Sequence, residues 1–311
     1  MIVTVTPNPA VDITYRVDRL VPGQSHRVTG VRARAGGKGI NVARTLACMA
    51  HPATATAPVG GPAAETFESD LVAAGIDTDL VPGDGEIRRS VAVIAGDAAT
   101  LFNEPGPRQS EDVWWAIEQA LARRLEPGDV VVVSGSLPAG TPADFIGRLV
   151  RRARAAGAST ILDLRGDPLS VALPERPSVV APNAAEAAET TGRADPVAAG
   201  RALLAAGAGS VVVSRGADGL VAITPTGAVV RARLPTPLPG NPTGAGDALT
   251  AALAARLDGR DAVPESIEWW RETSRSAVAW SAAAVRQPVA GTVDPSDVAA
   301  LMGEVILDAP S

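Results

Sequence analysis

The fold class predicted by the sequence is α/β: a mostly parallel central sheet flanked by helices on both faces, with a small β-sheet lid. Three observations carry that prediction. Short β-branched runs alternate with longer Ala-, Leu- and Arg-rich stretches, the pattern of repeated βαβ units. Two of those runs, Val130–Val133 and Val211–Val213, are apolar without a break, as strands buried on both faces are. Two segments, about 12–34 and 88–102, carry strand-like residues with no helix between them.

The first strand, Ile2–Thr6, runs into Pro7-Asn8-Pro9. Val17–Val21 and Arg27–Arg32 then read as antiparallel, half-buried strands, and Ser90–Ile94 belongs with them. Together they form the expected lid, whose use would be to keep water from a reactive phosphoryl group. An ordinary edge extension of the main sheet is the alternative. Helices are expected over Gly39–Ala50, Ala63–Ala74, Glu111–Leu125, Pro142–Ala156, Asn183–Thr191 and Pro196–Ala206. Asp129–Ser134, Ser159–Asp163, Ser178–Ala181 and Ser210–Ser214 are the remaining strands, and the Pro-rich Leu234–Pro239 is a loop.

A length of 311 residues suits one large α/β domain, and a single domain over 1–311 is expected. No signal-peptide pattern and no apolar window of 18 residues stand in the chain, so neither export nor a membrane partner is expected. Cys48 is the only cysteine, which precludes an intrachain disulfide and fits a cytoplasmic location. A formal net charge of −6 argues against nucleic acid as a partner. Of the 28 basic residues one is lysine, Lys38, kept within Ala35-Gly-Gly-Lys-Gly-Ile-Asn41. A G+C-rich genome accounts for the arginine bias, but not for where the single lysine sits.

The most informative stretch is Asn241-Pro-Thr-Gly-Ala-Gly-Asp247, followed at once by small helix-forming residues. Gly244–Asp247 therefore open a helix, where the first amides lack partners and the macrodipole favours an anion. A carboxylate there is out of place if the anion is merely held. It makes sense if a phosphoryl group is in transit and Asp247 takes the proton of the attacking hydroxyl. The familiar nucleotide motifs fail: neither Gly244-Ala-Gly246 nor Gly207-Ala-Gly209 has the third glycine of a dinucleotide fingerprint, and Lys38 is followed by glycine, not Ser or Thr. His26 and His51 are the only histidines, which makes structural zinc unlikely as a reading of this chain. Asn183 and Glu186, three apart at a helix start, suit either magnesium ligation with water and phosphate or an N-cap with its capping-box partner.

These motifs, in this order along nearly the whole chain, resemble the ribokinase-like carbohydrate kinases. Within them the closest branch holds 1-phosphofructokinase, tagatose-6-phosphate kinase and the minor-type 6-phosphofructokinase. The resemblance rests on Thr6-Pro-Asn-Pro-Ala-Val-Asp12, Val21-Pro-Gly23, Ala35–Arg44, Arg88, Asn103-Glu-Pro-Gly-Pro107, Ser134-Gly-Ser-Leu-Pro138, Pro182-Asn183 with Glu186, Ser214–Gly219 and Gly244–Asp247. It implies Asp247 as general base and the amides of Gly244, Ala245 and Gly246 as an anion hole. It implies a sugar site of Asp12, Gly37, Lys38 and Asn41, with Ser136 at a strand end beside it. Arg88 and Lys38 would neutralise a phosphate already on the substrate, with Arg27 of the lid as a weaker third. Ser214, Gly216 and Gly219 would shape the nucleotide pocket, together with Asn183, Gly244 and Gly246, while Asn183 and Glu186 would organise magnesium.

The implied activity is phosphorylation of a ketohexose phosphate by ATP with Mg2+: fructose 1-phosphate, fructose 6-phosphate or tagatose 6-phosphate. Kinases of free sugars or nucleosides, and a sugar-phosphate-binding regulator without activity, are the competing readings. A homodimer clasped through the lid is a further expectation, since exposed strand edges pair. Three places depart from the branch: Ala181 where a lysine is usual, Leu164-Arg165 after Asp163, and Asn241-Pro-Thr243 before the anion hole.

Overall fold

The computed structural model describes residues 1–96 and 98–308. Asp97, inside the expected lid segment, and 309–311, inside the expected domain, lie outside the described residues. The strands are β1 (Ile2–Val5), β2 (Ala10–Val17), β3 (Gly30–Gly36), β4 (Ala53–Thr56), β5 (Pro58–Val59), β6 (Asp77–Thr78), β7 (Val81–Pro82), β8 (Arg88–Ala95), β9 (Ala98–Asn103), β10 (Val130–Ser134), β11 (Ser159–Asp163), β12 (Val179–Val180), β13 (Val211–Ser214), β14 (Leu220–Ile223), β15 (Val229–Arg233) and β16 (Ile306–Leu307). The helices are α1 (Lys38–Cys48), α2 (Ala64–Ala73), α3 (Glu111–Arg124), α4 (Phe145–Ala155), α5 (Asp167–Ala172), α6 (Ala184–Thr191), α7 (Pro196–Ala205), α8 (Ala245–Leu257), α9 (Ile267–Val285) and α10 (Pro295–Glu304).

The main sheet runs β16-β15-β14-β13-β12-β11-β10-β1-β4-β6, parallel from β6 to β13 and antiparallel from β13 to β16. Alternation along β10 splits the core in two. Val130 and Val132 pack with α1, α2, α8 and α9, whereas Val131 and Val133 pack with α3 and α4. Helices thus cover both faces, as buried parallel strands require. Because all the parallel strands point the same way, their C-terminal ends share one edge, where ligands of open α/β sheets bind.

The second sheet has the order β3-β2-β8-β9 and forms the expected lid. Two details differ from the expectation. Its central pair, β2 with β8, is parallel; only β2–β3 and β8–β9 are antiparallel. The reason is topological: the chain re-enters the lid at Arg88 only after passing through the main sheet. The strand expected over Val17–Val21 ends at Val17, and that over Arg27–Arg32 begins at Gly30. Between them Gly23 turns at φ 80° and the Val21 amide donates to His26 Nε2 at 2.8 Å, closing a loop. Residues 143–144 form a turn, so the helix expected from Pro142 starts at Phe145.

Candidate active site

The two helices that meet at the sheet's C-terminal edge begin on glycines. Gly244 caps α8 at φ 86°, and a Cβ on it would lie 2.7 Å from Ala290 Cβ, so only glycine fits. Gly37 caps α1 at φ 106°. A side chain on Gly39 would overlap Thr6 and the Val5 carbonyl, so α1 packs directly onto the end of β1.

Of the amides opening α8, that of Ala245 donates to the Pro242 carbonyl at 3.2 Å. Those of Gly244, Gly246 and Asp247 find no acceptor among the described residues. The unpartnered set therefore differs from the expected trio in one member, Asp247 standing in place of Ala245. Asp247, in the first turn of α8, is buried and accepts from Asn41 Nδ2 at 3.0 Å. Burial, reinforced by the charge of Asp163 and opposed by Lys38 and Asn41, pushes its carboxyl up to about 7. Asn41 Oδ1 is buried without a partner, against Gly291.

Lys38, the first residue of α1, is engaged by carboxylates. Its Nζ lies 3.2 and 3.3 Å from the two oxygens of Asp163 and 4.0 Å from Glu186 Oε1. Asp163 is buried at the end of β11 and also accepts from Ser134 Oγ at 2.6 Å. Burial lowers the Lys38 pKa, but Asp163, Asp247 and Glu186 outweigh it, so the ammonium is held above its ordinary value.

The other wall of the cleft is the root of the lid. Register places Asp12 opposite Arg34 of β3 and one alternate position from the Ala10–Arg88 pair, so Asp12, Arg34 and Arg88 share a face. Burial raises the Asp12 pKa, while Arg34, Arg88 and the Gly37 amide draw it down. Arg88 donates from Nε to the Asn8 carbonyl at 3.2 Å and from Nη1 to that of Glu104 at 3.3 Å. Asn8 Nδ2 in turn reaches the Pro105 carbonyl at 3.1 Å and Ser136 Oγ at 3.2 Å. Arg27 stands apart: it is exposed in the 18–29 loop, with no hydrogen bond or ion pair among the described residues.

Asn183 and Glu186 form a complete capping box. The Glu186 amide donates to Asn183 Oδ1 at 2.9 Å, and the Asn183 amide to Glu186 Oε2 at 3.0 Å. Of the two readings open in the sequence, the capping one is present. Among the described residues no group of three His, Cys, Asp or Glu could hold a metal ion. Glu186 Oε1, free of the cap, suits an ion that takes the rest of its shell from water and phosphate.

An isolated bridge joins Asn183 to Ser214, where a cavity of about 250 Å³ opens. Leu220, Leu238, Leu249, Val278, Ala282 and Val285 make it apolar, and Gly216, Gly219 and Gly246 bring backbone to its rim. An apolar slot that reaches the unpartnered Gly246 amide has the character to take a flat apolar group beside an anion.

The structure brings Asp12, Gly37, Lys38, Asn41 and Asp247 into one cleft, with Arg88 and Ser136 linked to it through Asn8. Sequence reasoning missed Asn8, Asp163 and Arg34 as members. Asn8 lay inside a quoted motif and Arg34 at the end of the expected lid segment, whereas Asp163 closed a strand noted only for the residues after it.

The model of the pfkB family of carbohydrate kinases matches residues 5–297. This chain belongs to that family. It is thus a phosphotransferase with an alcohol group as acceptor. Among curated relatives, a 1-phosphofructokinase of Xanthomonas campestris pv. campestris is 38% identical over 266 residues, spanning 82% of this chain and 83% of its own length. A 1-phosphofructokinase of Rhodobacter capsulatus is 36% identical over 96% of this chain and 95% of its own. Among solved structures, phosphofructokinase-2 of Escherichia coli in complex with potassium superposes with a TM-score of 0.87 at 27% identity, covering 97% of this chain and 98% of that one. The pfkB kinases and this chain share the ribokinase-like arrangement of a large sheet between helices with a small separate sheet. No helix among the described residues is long and apolar enough to cross a membrane.

Proposed function

We propose that this pfkB-family kinase phosphorylates a free hydroxyl of a ketohexose phosphate with ATP, and that fructose 1-phosphate is its preferred acceptor. The observation that carries the reading is Asp247: a buried carboxyl, poised near neutrality and fixed by Asn41, beside unpartnered amides at a helix start. A base with a pKa near 7 is half ionised at neutral pH and still able to accept a proton. In the step, the acceptor hydroxyl oxygen forms the new bond to phosphorus, its proton passes to Asp247, and the bond to ADP breaks. The Gly244, Gly246 and Asp247 amides face the charge on the moving group, and Lys38 adds a fixed positive charge. Asp12 orients sugar hydroxyls, and Arg88 meets the phosphate the sugar already bears. Magnesium, carried on the nucleotide phosphates and bordered by Glu186, supplies charge neutralisation when bound.

Fructose 1-phosphate comes first because both curated relatives bear the name 1-phosphofructokinase. The test is ADP release from purified protein with fructose 1-phosphate, fructose 6-phosphate, tagatose 6-phosphate and fructose. Turnover with a phosphorylated ketohexose well above that with fructose supports the reading; turnover with fructose alone, or with none of them, overturns it.

We also propose a homodimer through the lid. On the lid face opposite Asp12, register aligns Ile13, Tyr15, Val31, Val91, Val93 and Phe102, and Val31 and Phe102 are 67% and 56% exposed. An apolar sheet face this open is a docking surface for another copy. A monomer in light scattering at micromolar concentration would count against it.

A further inference from the structure

We infer that Arg34 is a second anchor for the phosphate already on the acceptor sugar, closing on it from the side opposite Arg88. The inference deepens the proposed function and rests on it. Three other cations were candidates for this work, and their positions differ. Lys38 is occupied by Asp163 and Glu186, and Arg27 is exposed in a loop. Arg88 remains, spending Nε and Nη1 on the carbonyls of Asn8 and Glu104.

Arg34 is half-buried, yet among the described residues its guanidinium makes no hydrogen bond and no ion pair. Its neighbour Arg44 is the contrast: that guanidinium donates to the Ala35 carbonyl and pairs with Asp70. A guanidinium carries five donors and cannot shed its charge, so partial burial without an acceptor leaves a cost that an arriving anion would offset. Asp12 is close enough to influence Arg34 but forms no ion pair with it, and already has the Gly37 amide on its carboxylate. Desolvation and the charge of Arg44 act against the cation, while the carboxylates of Asp12 and Asp70 act for it without bonding to it.

Geometry says where that anion sits. β3 and β8 flank β2 and the two residues are offset by two positions along it, so Arg34 and Arg88 start about 12 Å apart on one face with Asp12 between them. Two planar forks at that span suit the three terminal oxygens of one phosphate monoester. Arg34 also borders a cavity of about 240 Å³ toward α2, but Val11, Ala33, Ala35 and Phe67 make that space apolar. The polar face beside Arg88 is the remaining place. Arg34 would thus help select a phosphorylated acceptor over a free sugar.

The experiment compares wild type with Arg34→Ala, Arg34→Lys and Arg88→Ala. For Arg34→Ala, KM for fructose 1-phosphate should rise tenfold or more, with a much smaller change in kcat and none in KM for ATP; Arg34→Lys should recover part of the loss. Inorganic phosphate, titrated calorimetrically with the nucleotide pocket filled by a non-hydrolysable ATP analogue, should bind Arg34→Ala at least tenfold more weakly than wild type. An unchanged KM and unchanged phosphate binding in folded Arg34→Ala, or equal rises in KM for sugar phosphate and ATP, would overturn the assignment. Should Arg34→Ala not fold, Arg34→Gln takes its place in both measurements. The functional reading fails separately, if wild type turns over no ketohexose phosphate. The phosphate titration then still decides Arg34.

Discussion

The two walls of the cleft are built on opposite electrostatic plans. On the main-sheet side, three carboxylates that are buried or nearly so, Asp163, Glu186 and Asp247, surround one exposed lysine at the ends of parallel strands and the start of a helix. On the lid side, Arg34 and Arg88 surround one carboxylate, Asp12, on a half-exposed four-stranded sheet. The main-sheet wall is rich in anions, with its single cation already engaged. The lid wall carries cations with donors to spare. Under the proposed function, a phosphate brought in on the acceptor would meet the lid wall, and the transferred group the wall of carboxylates. Binding of the acceptor would then be separate from chemistry upon it, and single substitutions should reveal that separation.

The sharpest test is on the main-sheet wall. Asp247→Asn keeps the shape and the Asn41 neighbourhood but cannot take a proton, so kcat should fall by about 10² to 10⁴ with little change in KM. Retention of near-normal kcat in an ADP-release assay would remove Asp247 from that role. On the lid wall the effect should be smaller and of the other kind. Arg88→Ala should raise KM for a sugar phosphate by roughly 10- to 100-fold and leave KM for a free sugar nearly as it was. Equal effects on both acceptors would erase the distinction between the walls.

Acidity offers a third, milder probe. With the Asp247 pKa at about 7, log kcat/KM should decline with unit slope below that pH and level off above it. The same shift sets the sign of a stability effect. An aspartate whose pKa is raised on folding stabilises fully below its unfolded value of 3.8, and that stabilisation is lost as pH rises toward 7. Asp247→Asn should therefore gain Tm over wild type at pH 8, the gain shrinking toward pH 4; a constant difference across that range would contradict the buried, protonatable acid. Smallest is the effect expected within one motif. Gly244→Ala should lower Tm by several degrees because of its positive φ and the crowding by Ala290, whereas Gly246→Ala, with no atom within 4 Å of the added methyl, should change Tm little.

Legibility in the sequence followed the range of the interactions. β1, β10, β11 and β13 could be read because buried parallel strands need uninterrupted β-branched residues, and the start of α8 because only glycine tolerates its cap. β14 and β15 escaped notice because they form an antiparallel hairpin with no helix between them, outside the strand–helix alternation. The pairing of β2 with β8 is a matter of topology, on which alternation within either strand is silent. Lys38 was legible as an anomaly of composition, but its partner Asp163 lies 125 residues away and nothing local links them. Asn183 and Glu186 show the limit from the other side. Their spacing is that of a capping box and of a helix-start ligand pair alike, so local sequence could name the residues without choosing the role.

One small turn ties together the starts of the two helices, α1 and α8, that carry the main-sheet wall. Gly291, at φ 67°, lies so close to α1 that an added Cβ would stand 3.0 Å from Asn41 Cα, while its amide and Ala290 crowd Gly244 at the head of α8. The backbone here acts as a shim of fixed thickness between the residue that steadies the acid and the residue that opens the amide cradle. Thickening it by a methyl group would change the spacing of donor and acceptor without touching either, and in-line transfer tolerates displacements of only about 1 Å. The spacing of these two helix starts thus depends on a residue that has no side chain of its own.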